Sequence, residues 1–182
     1  MQFVDVWIEG TAPLLQHRFH HHDPTATPQE LARDAAYWDR ARRLCFPGGA
    51  LAQLIRRAAR MDTGSRDALA PSAMVVLDDM IPLFALDRTT RVVHFEIDAR
   101  SVVMPSGQRV LRYRPRIDAW CAPARLCIDE QRVSAPLLRE WIALGGSEIG
   151  IGDFRPERGG PFGTFRVVEC RERGAASMPE VA

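Results

Sequence analysis

The chain opens on a strict alternation, with Val4, Val6 and Ile8 set against Asp5, Trp7 and Glu9. That period of two predicts a half-buried strand over residues 3–9. Residues 10–28 carry turn formers and a histidine run and read as a long loop. Thr27-Pro28-Gln29-Glu30 then supplies a cap, a first-turn proline and a returning glutamate, the start of a helix. The spacing of Leu31, Ala35, Trp38 and Arg42 carries that helix to about Arg43. Leu44 to Phe46 reads as a short extended piece ended by Pro47-Gly48-Gly49. A second helix is predicted from Ala50 to Met61, with Leu51, Leu54, Ile55 and Ala58 as its apolar stripe and Arg56, Arg57 and Arg60 opposite.

Further along, residues 73–77 predict a strand. Residues 91–104 and 108–113 predict two long strands around Pro105-Ser106-Gly107, a hairpin signal. Residues 120–128 predict another strand, with Pro123 implying an edge or a bulge. Ser134-Ala135-Pro136 caps a helix bearing Leu137, Leu138, Trp141, Ile142 and Leu144, which Gly145-Gly146 is expected to stop. Residues 164–169 read as the last strand, and the small, polar residues 171–182 as a disordered tail. With the hairpin at 91–115 set aside, the order is strand, helix, strand, strand, helix, strand. This predicts an α+β fold of ferredoxin-like (RRM-like) type, an antiparallel sheet with two backing helices and an inserted hairpin. One domain is expected over residues 1–170, with insertions at about 10–45 and 91–115. That fold hosts many functions, so the site has to decide among them.

Composition changes this picture little. The 182 residues, 46% hydrophobic and 26% charged, are those of an ordinary globular protein, and a net charge of +1 exerts no global pull on nucleic acid or membrane. All 24 basic residues are arginine, so every cation is a planar fork suited to phosphate or carboxylate. A high-GC genome accounts for most of that bias. Cys45, Cys121, Cys127 and Cys170 show neither a C-x-x-C pair nor zinc-like spacing. Asp5 and Glu9 interrupt the one early apolar run, and no stretch approaches the ~18 apolar residues of a membrane span. Neither a signal peptide nor a membrane segment is therefore expected, and a cytoplasmic location is.

Two constellations carry candidate chemistry. Arg109, Arg112, Arg114 and Arg116 lie within eight residues, with Tyr113 and Pro115 between them. In an extended strand Arg112, Arg114 and Arg116 share a face at intervals of ~6.5–7 Å, the scale of single-strand phosphates, with Tyr113 opposite. Ion pairs with Asp98 and Asp118 are the plain alternative. The second constellation is the segment 145–165, which holds seven glycines. There Gly150, Gly152, Gly159 and Gly160 permit close backbone approach, Arg155 and Arg158 suit phosphates, and Phe154 and Phe162 suit base stacking. The alternative is that both aromatics fold back onto the sheet and the arginines pair with Asp153 and Glu157. No Gly-Lys-Ser/Thr follows, so this is not a nucleotide-binding P-loop.

Two motifs resemble those of RAMP proteins, the ferredoxin-like backbone subunits of CRISPR ribonucleoprotein effectors. Cys45-Phe46-Pro47-Gly48-Gly49-Ala50-Leu51 resembles their I-P-G-S-S-L-K/R-G entry to the first helix, departing at Gly49-Ala50, where the serines are missing. Gly150-Ile151-Gly152 together with Gly159-Gly160-Pro161-Phe162-Gly163-Thr164-Phe165 resembles their C-terminal glycine-rich loop. The chain is also similar to small phage and prophage proteins of unassigned role. These share a G-T-x-P-L-L start, here residues 10–15, an R-Y-R-P-R-x-D-x-W run, here residues 112–120, and the same glycine-rich ending. The RAMP resemblance implies a subunit that binds single-stranded RNA or DNA and assembles along it, with itself or with other effector subunits, and needs no cofactor.

Some RAMP subunits cleave RNA with an aspartate in the loop after the first strand. The resemblance thus makes Asp23 the one catalytic candidate. By residue type, His17, His20, His21, His22 and Asp23 form the one metal-like cluster, with His20, His21, His22 and Asp23 as its candidate ligands. A metal-dependent nuclease and a phage structural or host-interaction protein are the alternatives. Adjacent loop histidines are more often solvated than ligands, and no paired carboxylate for a two-metal site accompanies them. His94 is expected to be a satisfied histidine within a strand. Serine or cysteine catalysis has no supporting motif.

Overall fold

The structure, a computed structural model, describes residues 1–19, 25–64, 73–103 and 106–173. Its architecture is mixed α+β, with antiparallel sheets and, among the described residues, three α-helices. Strand β1 (Gln2–Gly10) buries Val4, Val6 and Ile8 completely while Asp5, Trp7 and Glu9 stay half-buried, as the alternation requires. It pairs antiparallel with β8 (Cys121–Ile128) on one side and with β9 (Phe165–Arg173) on the other, and β4 (Met74–Val76) adds to β8. The resulting order is β4-β8-β1-β9. Helices α2 (Gly48–Thr63) and α3 (Ala135–Glu148) join one core with this sheet, in which Leu51, Ile55, Leu138 and Ile142 meet Val4, Val6, Ile8 and Leu126.

A second sheet holds β2 (Leu14–Leu15), β7 (Arg109–Ile117) and β6 (Glu96–Val103) in the order β2-β7-β6. The β6–β7 pair is the predicted hairpin, with the first strand starting five residues later and the second running four residues further than the pattern suggested. β3 (Cys45–Pro47) and β5 (Met80–Pro82) form a two-stranded ladder that delivers the chain to α2. β2 and β5, of two and three residues, were not expected from the sequence.

The first helix, α1 (Pro28–Asp34), has the predicted capping box at Thr27 and Glu30 but ends well before Arg43. Local polar groups compete for the backbone there. The buried Gln16 amide accepts the Tyr37 N–H at 2.9 Å, and the Asp39 carboxylate accepts the N–H groups of Ala41 and Arg43, each at 2.9 Å. Trp38 then bridges to Leu44 as a strand would.

Gly145 and Gly146 do not stop α3, which runs on to Glu148. A methyl group at Gly145 would come within 2.2 Å of Leu54 on α2, and one at Gly146 within 2.4 Å of the Phe165 carbonyl oxygen on β9. The pair is glycine because α3 packs that closely on both neighbours, a reason invisible to local propensity. Pro123 lies on β8, an inner strand, yet its missing N–H costs no ladder bond. Cys121 bonds Phe84 and Arg125 takes the Asp78 carboxylate, and Pro123 occupies the gap between these two partners. The last strand extends to Arg173 rather than Glu169, so residues 171–173 do not belong to a tail; residues 174–182 lie outside the described residues. His94 is exposed and belongs to no strand, whereas a place within a strand was expected of it. Among the described residues no helix is long and apolar enough to cross a membrane.

Candidate nucleic-acid interface

The two motifs singled out in the sequence, about a hundred residues apart, meet in space. Between them lies a cleft of about 270 Å³. Pro47 and Ala50 at the start of α2 form one wall, and Gly150, Gly152, Asp153 and Arg155 of the glycine-rich loop form the other. Gln53 and Arg57, one and two helical turns further along α2, extend the first wall. Gln16, Tyr37 and His17, the last exposed on the segment after β2, add to the polar lining.

The loop holds its shape through its own contacts. The Ile151 N–H donates to the Gly163 carbonyl at 2.9 Å, and the Asp153 N–H reaches the Leu15 carbonyl at 2.7 Å. A methyl group at Gly152 would lie 2.3 Å from the Leu15 oxygen, and one at Gly160 only 1.9 Å from the Phe154 oxygen. These glycines serve the internal packing of the loop. Gly159 differs, because its φ of +74° is left-handed but the space beside it is open. Arg158, on the 3-10 turn Pro156–Arg158, is exposed next to it.

The aromatics fold inward. Phe162 is buried, its ring centroid is 6.1 Å from that of Phe154, and the Arg100 guanidinium of β6 lies 4.8 Å from the Phe162 centroid and 5.6 Å from that of Phe154. This cation–π cluster fastens the loop to the hairpin. The stacking role expected of Phe154 and Phe162 is thus taken up by each other and by Arg100.

The arginine run sits on β7 with the spacing predicted, but its members have different environments. Cross-strand register sets Arg112 opposite Arg100, Arg114 opposite Asp98 and Arg116 opposite Glu96, a face of mixed sign rather than a uniformly basic ridge. Arg114 is buried and donates to Asp153 at 2.7 Å. It is therefore not the exposed middle member of a ridge, because its charge is spent inside the protein. Arg116 forks onto Asp118 at 2.5 and 3.0 Å; that hydrogen bond raises the Arg116 pKa and holds the Asp118 carboxyl below its usual value. Arg112 and Tyr113 are half-buried, and Arg109 is exposed towards the hairpin tip.

Gln53 and Arg57 of the cleft wall, and Glu157 beside it, were not foreseen as site residues. Arg57 reads in the sequence only as the polar face of α2, Gln53 carries no signal, and Glu157 appears only as a possible partner for arginine. Arg155 donates to the Gly152 carbonyl at 2.8 Å and to Glu157 at 2.6 Å, and Arg57 bonds the same Glu157 carboxylate through both of its oxygens. The thiol of Cys45, next to this cleft but buried, is pushed up to about 11 by burial and then by the nearby Asp39 charge. Its surroundings are those of a core residue rather than of a nucleophile.

The metal and nuclease candidates His20, His21, His22 and Asp23 lie outside the described residues. Among the described residues no group of three or more His, Cys, Asp or Glu side chains is arranged to hold a metal ion.

No protein-family model matches the chain, and no curated protein is similar to it in sequence. Solved structures are similar in fold. A chain of the type III-B Cmr-beta complex bound to cognate target RNA, known from cryo-electron microscopy, matches over 96% of this chain with a TM-score of 0.66 at 11% identity. This chain spans 61% of the length of that one. Cmr6 from Pyrococcus furiosus, known from a crystal structure, matches over 91% of this chain and 97% of its own with a TM-score of 0.51 at 9% identity. At such identities the likeness is one of fold, and the fold is that of type III-B Cmr proteins.

Proposed function

We propose that this chain is a RAMP-like subunit that binds single-stranded RNA through the cleft between the α2 entry and the glycine-rich loop. The core arrangement β1-α2-β4-β8-α3-β9 is read as the ferredoxin-like unit of such a subunit. The segment between β1 and α2 and the β6–β7 hairpin are its insertions. The observation that carries the reading is the convergence of Pro47–Ala50 with Gly150–Arg155 on one cleft. Both segments carry the motifs that resemble RAMP proteins. The fold likeness to Cmr proteins, one of them within a complex holding target RNA, favours RNA over DNA. The subunit works by binding, in assembly with other effector subunits or with copies of itself.

Fluorescence anisotropy with a labelled ~30-nucleotide RNA, longer than one subunit's site, tests this against single-stranded DNA and duplex of equal length. RNA should bind most tightly, with an affinity that falls between ~50 and ~200 mM salt. Purified protein should carry host RNA, visible as a raised 260/280 absorbance ratio. Equal, negligible binding of all three probes would exclude the reading.

A further inference from the structure

Arg57 and Arg155 approach the cleft from its opposite walls and share a single carboxylate. Both oxygens of Glu157 accept from Arg57, and one of them also accepts from Arg155 at 2.6 Å. A carboxylate that bridges Nη1 of Arg57 and Nη2 of Arg155 carries the charge, and offers the pair of acceptor oxygens, of a phosphodiester group in the same place. We infer that Arg57 and Arg155 form a phosphodiester subsite of the RNA cleft, and that Glu157 is its resident counter-ion, displaced when RNA enters.

The exchange is physically cheap. The side chains of Arg57, Arg155 and Glu157 are 38%, 22% and 31% exposed, so their ion pairs are screened and weak. Glu157 sits on the single 3-10 turn Pro156–Arg158, whose Glu157 N–H reaches the Ile149 carbonyl at a long 3.3 Å. The turn ends at Gly159, beside which the space is open. Displacement conserves charge at the arginines, since one monoanion replaces another, and returns the carboxylate to water. The arrangement also gives Glu157 a selective role. Only a ligand that offers an anion between both guanidinium groups displaces it, and an anion held weakly by one of them does not.

This inference rests on the RNA-binding reading, and the variants separate the two. Glu157→Gln keeps shape and removes the charge; it should bind the ~30-nucleotide RNA roughly five-fold more tightly than the parent at unchanged melting temperature. Glu157→Asp keeps the charge but is one methylene too short to bridge both guanidinium groups, and should give a smaller gain in the same direction. Glu148→Gln removes an exposed carboxylate on the neighbouring surface and should change affinity less than about two-fold. In an Arg57→Ala, Arg155→Ala background the gain from Glu157→Gln should vanish. Parent protein that binds RNA while Glu157→Gln binds equally or less tightly overturns the subsite and leaves the RNA reading standing. A gain from Glu148→Gln equal to that from Glu157→Gln also overturns it, because the effect would then be bulk charge. If inorganic phosphate, and not RNA, gains affinity in Glu157→Gln, the pair is a free-anion site and the inference falls. If neither parent nor variant binds RNA, both readings fall together.

Discussion

Arg114 of β7 and Asp153 of the glycine-rich loop, 39 positions apart, form a 2.7 Å ion pair whose guanidinium is only 4% exposed. Asp153 is the hinge pin of the loop. One carboxylate oxygen takes Arg114, the other takes the Phe154 N–H at 2.9 Å, and its own N–H goes to Leu15. Those bonds hold the loop against β2 and β7 and so set one wall of the cleft. The Nε of Arg114 is buried with no hydrogen-bond partner, a cost the fold accepts to place this cation.

Arg114→Ala should therefore destabilise the protein by about 2–3 kcal/mol, less than a fully buried pair because Asp153 is partly solvated. Urea denaturation measures it. Hydrogen exchange should show the extra opening concentrated in residues 150–163. A loss of RNA affinity with full stability and unchanged exchange would instead make Arg114 a direct phosphate contact.

Gly159 and Gly160 are neighbours with opposite requirements. Gly160→Ala drives a methyl group into the Phe154 carbonyl and should cost about 2–4 kcal/mol, in the range of overpacking with backbone shift. Gly159→Ala meets no atom and pays only for its left-handed backbone, about 1–2 kcal/mol. Melting temperatures of the two single variants give the order, and equal losses would contradict it.

The surface arginines of β7 should contribute to RNA binding through phosphate contacts alone. Arg112→Ala with Arg116→Ala should weaken binding for all sequences alike and reduce the slope of log affinity against log salt by about 1.4, near 0.7 for each lost phosphate contact. An unchanged slope in the folded double variant confines the interface to the cleft.

Cys45, with its thiol pushed up to about 11 and its side chain buried, should resist alkylation at a pH of ~8 as long as the protein stays folded. Mass spectrometry after iodoacetamide treatment should find Cys45 modified only after denaturant is added. Rapid native labelling of Cys45 would revive a nucleophile beside the α2 entry.

Much of the main sheet was legible because its elements bury one face and expose the other. Val4, Val6 and Ile8 keep a period of two, Leu51, Leu54, Ile55 and Ala58 keep a period near 3.6, and Thr27 and Ser134 announce helix starts through hydrogen bonds local to the chain. The misread ends share a cause. Asp39 and Gln16 diverted backbone bonds from α1, and Gly145 and Gly146 were kept in α3 by contacts with Leu54 and Phe165. The decisive partner lies far away in the sequence in three of these cases and competes locally in the fourth.

The site divides along the same line. Residue type and order were enough to pick out the α2 entry, the arginine run and the glycine-rich loop, because the capacity to approach closely or to fork onto an anion belongs to single side chains. Tertiary structure alone decided which of those capacities remain open. It buried Arg114 against Asp153, closed Phe154 and Phe162 under Arg100, and brought Arg57 from the plain face of a helix to share Glu157 with Arg155. A side chain carries its chemistry locally, whereas its partner, its burial and hence the strength of its charge depend on what the folded chain sets beside it.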